Sequence, residues 1–322
     1  MKNILLYNSG GGLGDSIQLM PLIIKIQNHF KNSNFYYLGA HKNHFLDKLK
    51  EYKINIKTLD LKLEYFGFRW WHYLKTKKEF KKNNIKEFDL IIDLQSKLRN
   101  TIILKKIPHK IFYSSTFNFK FCTKKKSYIS NKNLVDMTLD NLDLCINTKI
   151  KKLEYNIENL PKEFIRTAKK LLPNNNYIGF SLTQGNAYRK KTWPINKFIE
   201  LSKKIKIRQK VPVFFIERNE IDLINKIKSE VSDALFPELN LEKSCPALVT
   251  ALAQRLEKAI SIDNGVMHMM SLAKIPMVIL FGPTNPKKFA PNNNNIKIID
   301  SNVNYNTDDL SKITVEEVLN NI

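Results

Sequence analysis

Residues 258–291, KAISIDNGVMHMMSLAKIPMVILFGPTNPKKFAP, read as strand, turn, helix, strand and loop. Residues 259–262 are a short apolar run, Asp263-Asn264-Gly265 is turn chemistry, and residues 266–273 place Met267, Met270 and Leu272 to pack one side of a helix. Residues 276–281 form a second apolar run, too short for a free-standing helix and β-branched enough for a buried parallel strand. Two parallel strands joined by a helix leave the helix N-terminus at the carboxyl end of the sheet, with unpaired N–H groups and a partial positive charge. Phosphate binds such a place. Asp263, at the end of the first strand, either caps the helix or accepts hydrogen bonds from sugar or ribose hydroxyls.

The N-terminus repeats the theme. Residues 3–7 are an opening strand, and Asn8-Ser9-Gly10-Gly11-Gly12-Leu13-Gly14-Asp15 holds four of the ten glycines of the chain. Glycine lets backbone approach a ligand and tolerates positive φ. The dinucleotide fingerprint G-x-G-x-x-G does not fit, and the second predicted strand ends in Leu38-Gly39 without an acid. Pro21 either opens the main helix or kinks one begun near Asp15. Asp15 reads as a helix cap or as a base; near a helix N-terminus it stays ionised, so its use as a base depends on geometry.

A length of 322 residues suits two domains, and 43% hydrophobic content suits folded ones. No apolar run approaches the roughly 18 residues of a membrane span. The first strand starts at once and is cut short by residues 8–14, a poor signal peptide. Cys122, Cys145 and Cys245 are few, odd in number and far apart, which fits a reducing cytoplasm and neither a disulfide framework nor a zinc site. The net charge of +23 attracts polyanions. Nucleic acid, an anionic membrane and a phosphorylated acceptor are candidates, as is a Lys, Asn and Ile bias imposed by an AT-rich genome. Without zinc-finger spacing or an aromatic RNA-binding signature, nucleic acid is not expected.

Between these ends, residues 35–38 are a second strand and residues 43–49 a short helix. Residues 67–82 are basic and aromatic together, with Arg69, Trp70, Trp71, His72, Tyr73, Lys75, Lys77 and Lys78. They read as an amphipathic helix with its aromatics in the core, or as a binding surface for an acidic sugar or lipid headgroup. Residues 89–94 are a strand, and residues 114–133 a mobile basic loop suited to an anionic membrane. The domain boundary falls between 147 and 176. Strands follow at 177–182 and 211–216, helices at 195–206 and 246–256, and an amphipathic helix at 313–318. Glu217 and Glu220 follow the 211–216 strand, where an acid can bind ribose hydroxyls.

Asp263-x-Gly265-x-Met267-His268, followed by Phe281-Gly282-Pro283-Thr284-x-Pro286, resembles the C-terminal signature of glycosyltransferase family 9, the lipopolysaccharide heptosyltransferase-like enzymes. Gly11-x-x-Gly14-Asp15 with Pro21 resembles its first signature, Lys191-x-Trp193-Pro194 its Lys-x-Trp-Pro, and residues 93–100 its acceptor loop, with Ser96 and Asn100 replacing glycine and serine. Asn186 and Ala187 stand where many relatives carry hydroxyls, and the usual glycine near Glu220 is missing.

The resemblance implies an α/β protein of the GT-B type: two facing Rossmann-like domains with a cleft between them, residues 1–160 binding acceptor and 161–322 the nucleotide sugar. It implies an inverting, metal-independent transfer with no cofactor beyond the substrate, and no Asp-x-Asp pair occurs in the chain. Asp15 is the implied base. Lys191, Glu220, Asp263, Asn264, Gly265 and His268 are the implied donor residues, and Gly12, Gly14, Arg69, Lys97 and Arg99 the acceptor residues. The expected donor is ADP-heptose. The expected acceptor is an acidic glycolipid of the lipopolysaccharide core, met by a cytoplasmic enzyme peripheral on the inner face of the membrane. The alternatives are the same machinery with another nucleotide sugar, or a non-catalytic nucleotide-sugar or nucleic-acid binder.

Overall fold

The computed structural model describes residues 1–130, 132–151, 153–183, 191–239, 241 and 244–322. The chain divides into two compact units, Met1–Tyr155 and Asn156–Ile322. That division lies ahead of the 160/161 boundary expected from sequence, because the helix Lys162–Leu171 packs on the helix Pro246–Ala253 and the turn Ile157–Asn159 leads into it.

The first unit is a parallel sheet of β1 (Asn3–Asn8), β2 (Asn34–Gly39), β3 (Lys57–Thr58), β4 (Phe88–Asp93) and β5 (His109–Ser114), in the order β3-β2-β1-β4-β5. Leu5 of β1 lies opposite Tyr36 and Ile91. β1 and β4 are buried on both faces, which is why they read as continuous apolar runs. The helix Leu13–His29 crosses back over the sheet with Ile17, Met20, Ile23 and Ile24 inward. Pro21 lies inside that helix, so it neither opens it nor ends it.

The second unit contains β6 (Tyr177–Ser181), β7 (Val211–Phe215), β8 (Leu256–Ile262), β9 (Met277–Phe281) and β10 (Ile296–Asp300), in the order β10-β9-β8-β6-β7. Leu235 adds a single parallel bridge to Val213 on the far side of β7. With that bridge counted as a vestigial third strand, the second unit has the order 3-2-1-4-5-6, and the first unit has the same order without the sixth strand. Trp193 is buried in this core, where its indole N–H donates to the Ile313 carbonyl (3.0 Å). Ile313, Val315, Val318 and Leu319, from the last segment, fill the same core.

Several elements depart from the sequence reading. Residues 43–49 do not form an α-helix; two 3-10 turns, His44–Leu46 and Lys50–Tyr52, stand there. The helix after Asp263 is Gly265–Ser271, and Leu256 belongs to β8 instead of ending the preceding helix. The loop expected over residues 114–133 is tethered where it is described, over residues 114–130: Phe119 and Cys122 are buried, and Asn141 brackets Ile129 by its N–H (2.8 Å) and carbonyl (2.7 Å). The basic–aromatic segment contributes only the helix His72–Phe80, whose inner side is His72, Thr76 and Phe80. Trp70, Trp71, Tyr73 and Leu74 are exposed, opposite to the core packing read from the pattern.

Candidate active site

In an open parallel sheet, ligands bind beyond the carboxyl ends of the strands where the strand order reverses direction. That point is β1/β4 in the first unit and β6/β8 in the second. Most of the residues singled out by sequence lie at these two points, while Glu220 stands after the edge strand β7.

At the β1/β4 point, Asp15 is exposed in the first turn of its helix, and the Gly12 N–H donates to its Oδ2 (3.0 Å). Gly14 lies inside the helix, one residue before Asp15. Asn8 Oδ1 accepts from both the Gly10 N–H (2.9 Å) and Gln95 Nε2 (2.6 Å), so the glycine loop is tied to the loop after β4. A Cβ on Gly11 would stand 2.2 Å from the exposed His41 ring, which would have to move aside.

Beneath this corner Asp93 is buried. Thr101 Oγ1 (2.6 Å), Ser114 Oγ (2.8 Å) and the Gln95 N–H (3.0 Å) all donate to it. Burial still dominates and raises its pKa to about 6, against the lowering effect of those donors.

Beside it, Arg99 Nε donates to the Gly67 carbonyl (3.0 Å) and the Gly67 N–H donates to His72 Nδ1 (3.1 Å). Gly67 has φ of +88°, and a Cβ there would meet Tyr7 Oη at 2.5 Å. Tyr7 Oη donates to the adjoining Phe66 carbonyl (2.9 Å). His72 accepts a hydrogen bond and is held below its ordinary pKa by burial, reinforced by Arg69, Arg99 and Lys75, so the ring is neutral. Lys97 and Arg99 both lie over the Phe68 ring, at 5.0 and 5.9 Å, and Arg69 is exposed on the same segment. The structure thus gathers Lys97 and Arg99 around one short segment.

At the β6/β8 point, Lys191 Nζ forms an ion pair with Asp263 Oδ2, and both side chains are mostly buried. Thr284 Oγ1 donates to the same oxygen (2.6 Å). Asn264 caps the helix Gly265–Ser271 by accepting from the Met267 N–H (2.8 Å). Its Nδ2 donates to Ser181 Oγ (2.7 Å) and the Thr183 carbonyl (2.9 Å), which joins the loops after β6 and β8. Asp263 is therefore not the helix cap. Its carboxylate faces a lysine and a hydroxyl instead.

His268 is buried one turn into that helix. Burial lowers its pKa to about 4, against the raising effect of Asp263 and with the help of Lys191, so the imidazole is neutral. Arg189 and Lys190, read from sequence as neighbours of Lys191, lie outside the described residues, as do Asn186 and Ala187.

Glu220 is exposed at the N-cap of the helix Ile221–Glu230 and makes no side-chain capping bond. A second acid there escaped the sequence reading. Glu238 follows the Leu235 bridge, accepts from Ser244 Oγ, and has its carbonyl held by Arg218 Nε (3.1 Å). Burial raises its pKa, with Glu217 adding to the shift. The only signal in the sequence was Pro237-Glu238 after an apolar run, which is not distinctive.

Solved structures share this architecture. The crystal structure of a family 9 glycosyl transferase from Veillonella parvula DSM 2008 matches with a TM-score of 0.71 at 21% identity, covering 99% of this chain and 95% of that one. The E. coli heptosyltransferase WaaC with ADP matches at 0.67 and 14% identity, covering 98% and 97%. The fold is therefore α/β of the GT-B class. A family profile, glycosyltransferase family 9 (heptosyltransferase), matches residues 75–319, and the chain belongs to that family. It is a glycosyltransferase. Lipooligosaccharide heptosyltransferase 2 of Campylobacter jejuni subsp. jejuni serotype O:2 is 24% identical over 291 residues, 89% of this chain and 83% of that protein. Among the described residues, no helix is long and apolar enough to cross a membrane.

Proposed function

We propose that the protein is an inverting, metal-independent heptosyltransferase that moves heptose from ADP-heptose to a hydroxyl of a lipopolysaccharide-type core. The observation that carries this reading is the cluster of Lys191, Asp263, Thr284 and Asn264 at the switch point of the second unit, in a chain of this family. The relatives add support: one is a lipooligosaccharide heptosyltransferase, and one solved neighbour is a heptosyltransferase with ADP.

In this mechanism Asp15 takes the proton of the acceptor hydroxyl as the hydroxyl attacks the anomeric carbon. Gly12 and Gly14 keep the backbone around Asp15 free of side chains, and Arg69, Lys97 and Arg99 hold acidic groups of the acceptor. The bond to the diphosphate breaks on the opposite face, which inverts the configuration. Lys191 moves from Asp263 onto the diphosphate and offsets the leaving-group charge, assisted by the backbone at Asn264-Gly265. Asp263 is then released to accept from a donor hydroxyl, and neutral His268 holds the floor of the pocket without adding charge. Glu220 takes the ribose.

Two measurements test this. Asp15→Asn should lower transfer from ADP-heptose by about 10²–10⁴-fold while ADP affinity stays within twofold of wild type. Loss of ADP affinity with retained turnover would remove Asp15 from the role of base. Thermal unfolding in EDTA with ADP, UDP, GDP or NAD separates the donors, since a ligand at 100 times its Kd stabilises by about 2.7 kcal/mol. A UDP- or GDP-selective shift would change the donor, and no shift with any of them would favour a non-catalytic protein.

A further inference from the structure

The surplus positive charge is not spread evenly. No Asp or Glu occurs from Leu94 through Val135, a stretch with ten Lys and Arg, and none occurs from Tyr65 through Lys78, which holds four more. A genome-wide bias toward lysine codons does not by itself remove acids from particular segments. The fold places these two stretches side by side. The helix His72–Phe80 packs on the helix Leu98–Leu104, which packs on Thr116–Phe119. Lys106 Nζ sits 3.9 Å from the centre of the Tyr73 ring and joins the two.

These two acid-free stretches also carry apolar side chains that the core leaves out. Leu74 is 78% exposed, Phe117 61% and Trp70 60%, with Trp71 and Leu98 also exposed. On the helix, Trp71, Leu74, Lys75 and Lys78 share the side opposite His72, Thr76 and Phe80. The segment leading into it is not loose: Tyr7, His72 and Arg99 fix the backbone at Phe66 and Gly67. An exposed aliphatic tip flanked by indoles and lysines matches the interface of an anionic bilayer, where indole rings sit at headgroup level and lysines meet lipid phosphates.

We propose that this face, centred on Trp71, Leu74 and Phe117 and rimmed by Lys75, Lys78, Lys120 and Lys124-Lys125-Lys126, docks the first unit on an anionic lipid bilayer. Leu74 and Phe117 reach below the headgroups while the lysines stay among them. The proposal deepens the glycolipid-acceptor reading and rests on it for the biological membrane concerned; the contact chemistry follows from the surface itself.

The test is flotation of the purified full-length chain with vesicles of phosphatidylcholine alone or with about 30 mol% phosphatidylglycerol. Transfer to a deacylated, soluble core oligosaccharide is measured in parallel. Binding should require the anionic lipid, weaken in high salt, and shift Trp fluorescence to the blue, since only Trp193 of the three tryptophans is already buried. Leu74→Glu with Phe117→Glu should lower binding by about tenfold or more, as should K124S/K125S/K126S, with melting temperature and transfer to the soluble acceptor unchanged. Equal binding to neutral vesicles, binding indifferent to both variants, or capture of oligonucleotides without any vesicle binding would overturn the proposal. Vesicle binding with no heptosyl transfer would uphold this surface and count against the enzymatic reading alone.

Discussion

The carboxyl end of β4 and the carboxyl end of β8 are the same place in two copies of one topology, and each carries an aspartate, Asp93 as the last residue of β4 and Asp263 just after β8. Asp93 in the first unit is met by two hydroxyls and a backbone N–H, and burial holds its pKa up near 6. Asp263 in the second is met by Lys191 and Thr284, with neutral His268 behind it. The first corner uses its carboxylate as an acceptor that shapes the following loop and helix through Gln95 and Thr101. The second holds a cation and an anion together, both mostly buried. A shared fold fixes where the chemistry stands, and the partners brought by other strands fix what it does.

The largest effect should come from breaking the second corner. Asp263→Ala leaves Lys191 mostly buried without its carboxylate and should cost about 3–5 kcal/mol in urea unfolding at pH 7. A cost under about 1 kcal/mol would mean that water already screens the pair.

The two corners should then respond to acid with opposite signs. His268 is neutral in the fold and its pKa is depressed, so its contribution is complete above about 6.5 and is lost as pH falls toward 4. The loss is on the order of 3 kcal/mol, and His268→Gln should remove that slope. Asp93 has a raised folded pKa, so its contribution is complete below about 4 and is lost as pH rises through 6. The stability gap between wild type and Asp93→Asn should narrow over that interval by a similar amount. Parallel slopes for the two variants would break the comparison. The smallest effect is Thr284→Val, expected to cost about 1 kcal/mol through one hydrogen bond to Asp263.

What could be read from the sequence was local. The run through Asp263 to Phe281 announces strand, turn, helix and strand because apolar spacing and turn residues act within a few positions. The glycine loop before Asp15 is legible for the same reason. The pairing of Lys191 with Asp263 joins residues that sequence spacing does not connect, and only the placement of β6 beside β8 brings them together. Asp93 read as a strand end because its partners Thr101 and Ser114 come from the next helix and the next strand. Trp70 and Trp71 read as core because an apolar side chain in a helical pattern usually points inward. The helix here is short, and His72, Thr76 and Phe80 already fill its inner side. Leu235 gave no strand signal at all, since one bridge has no period.

The docking of Ile313, Val315 and Leu319 against Trp193 has a consequence for synthesis on the ribosome. Every strand of the first unit is made before residue 115, and its sheet can close while the second unit is still emerging. The second unit has no such head start: its core lacks a wall until residues beyond 313 are out. For that interval the nascent chain presents β6 and β8 with their apolar flank uncovered. A pulse of protease on stalled nascent chains ending near residue 300 should therefore spare the first unit and digest the second.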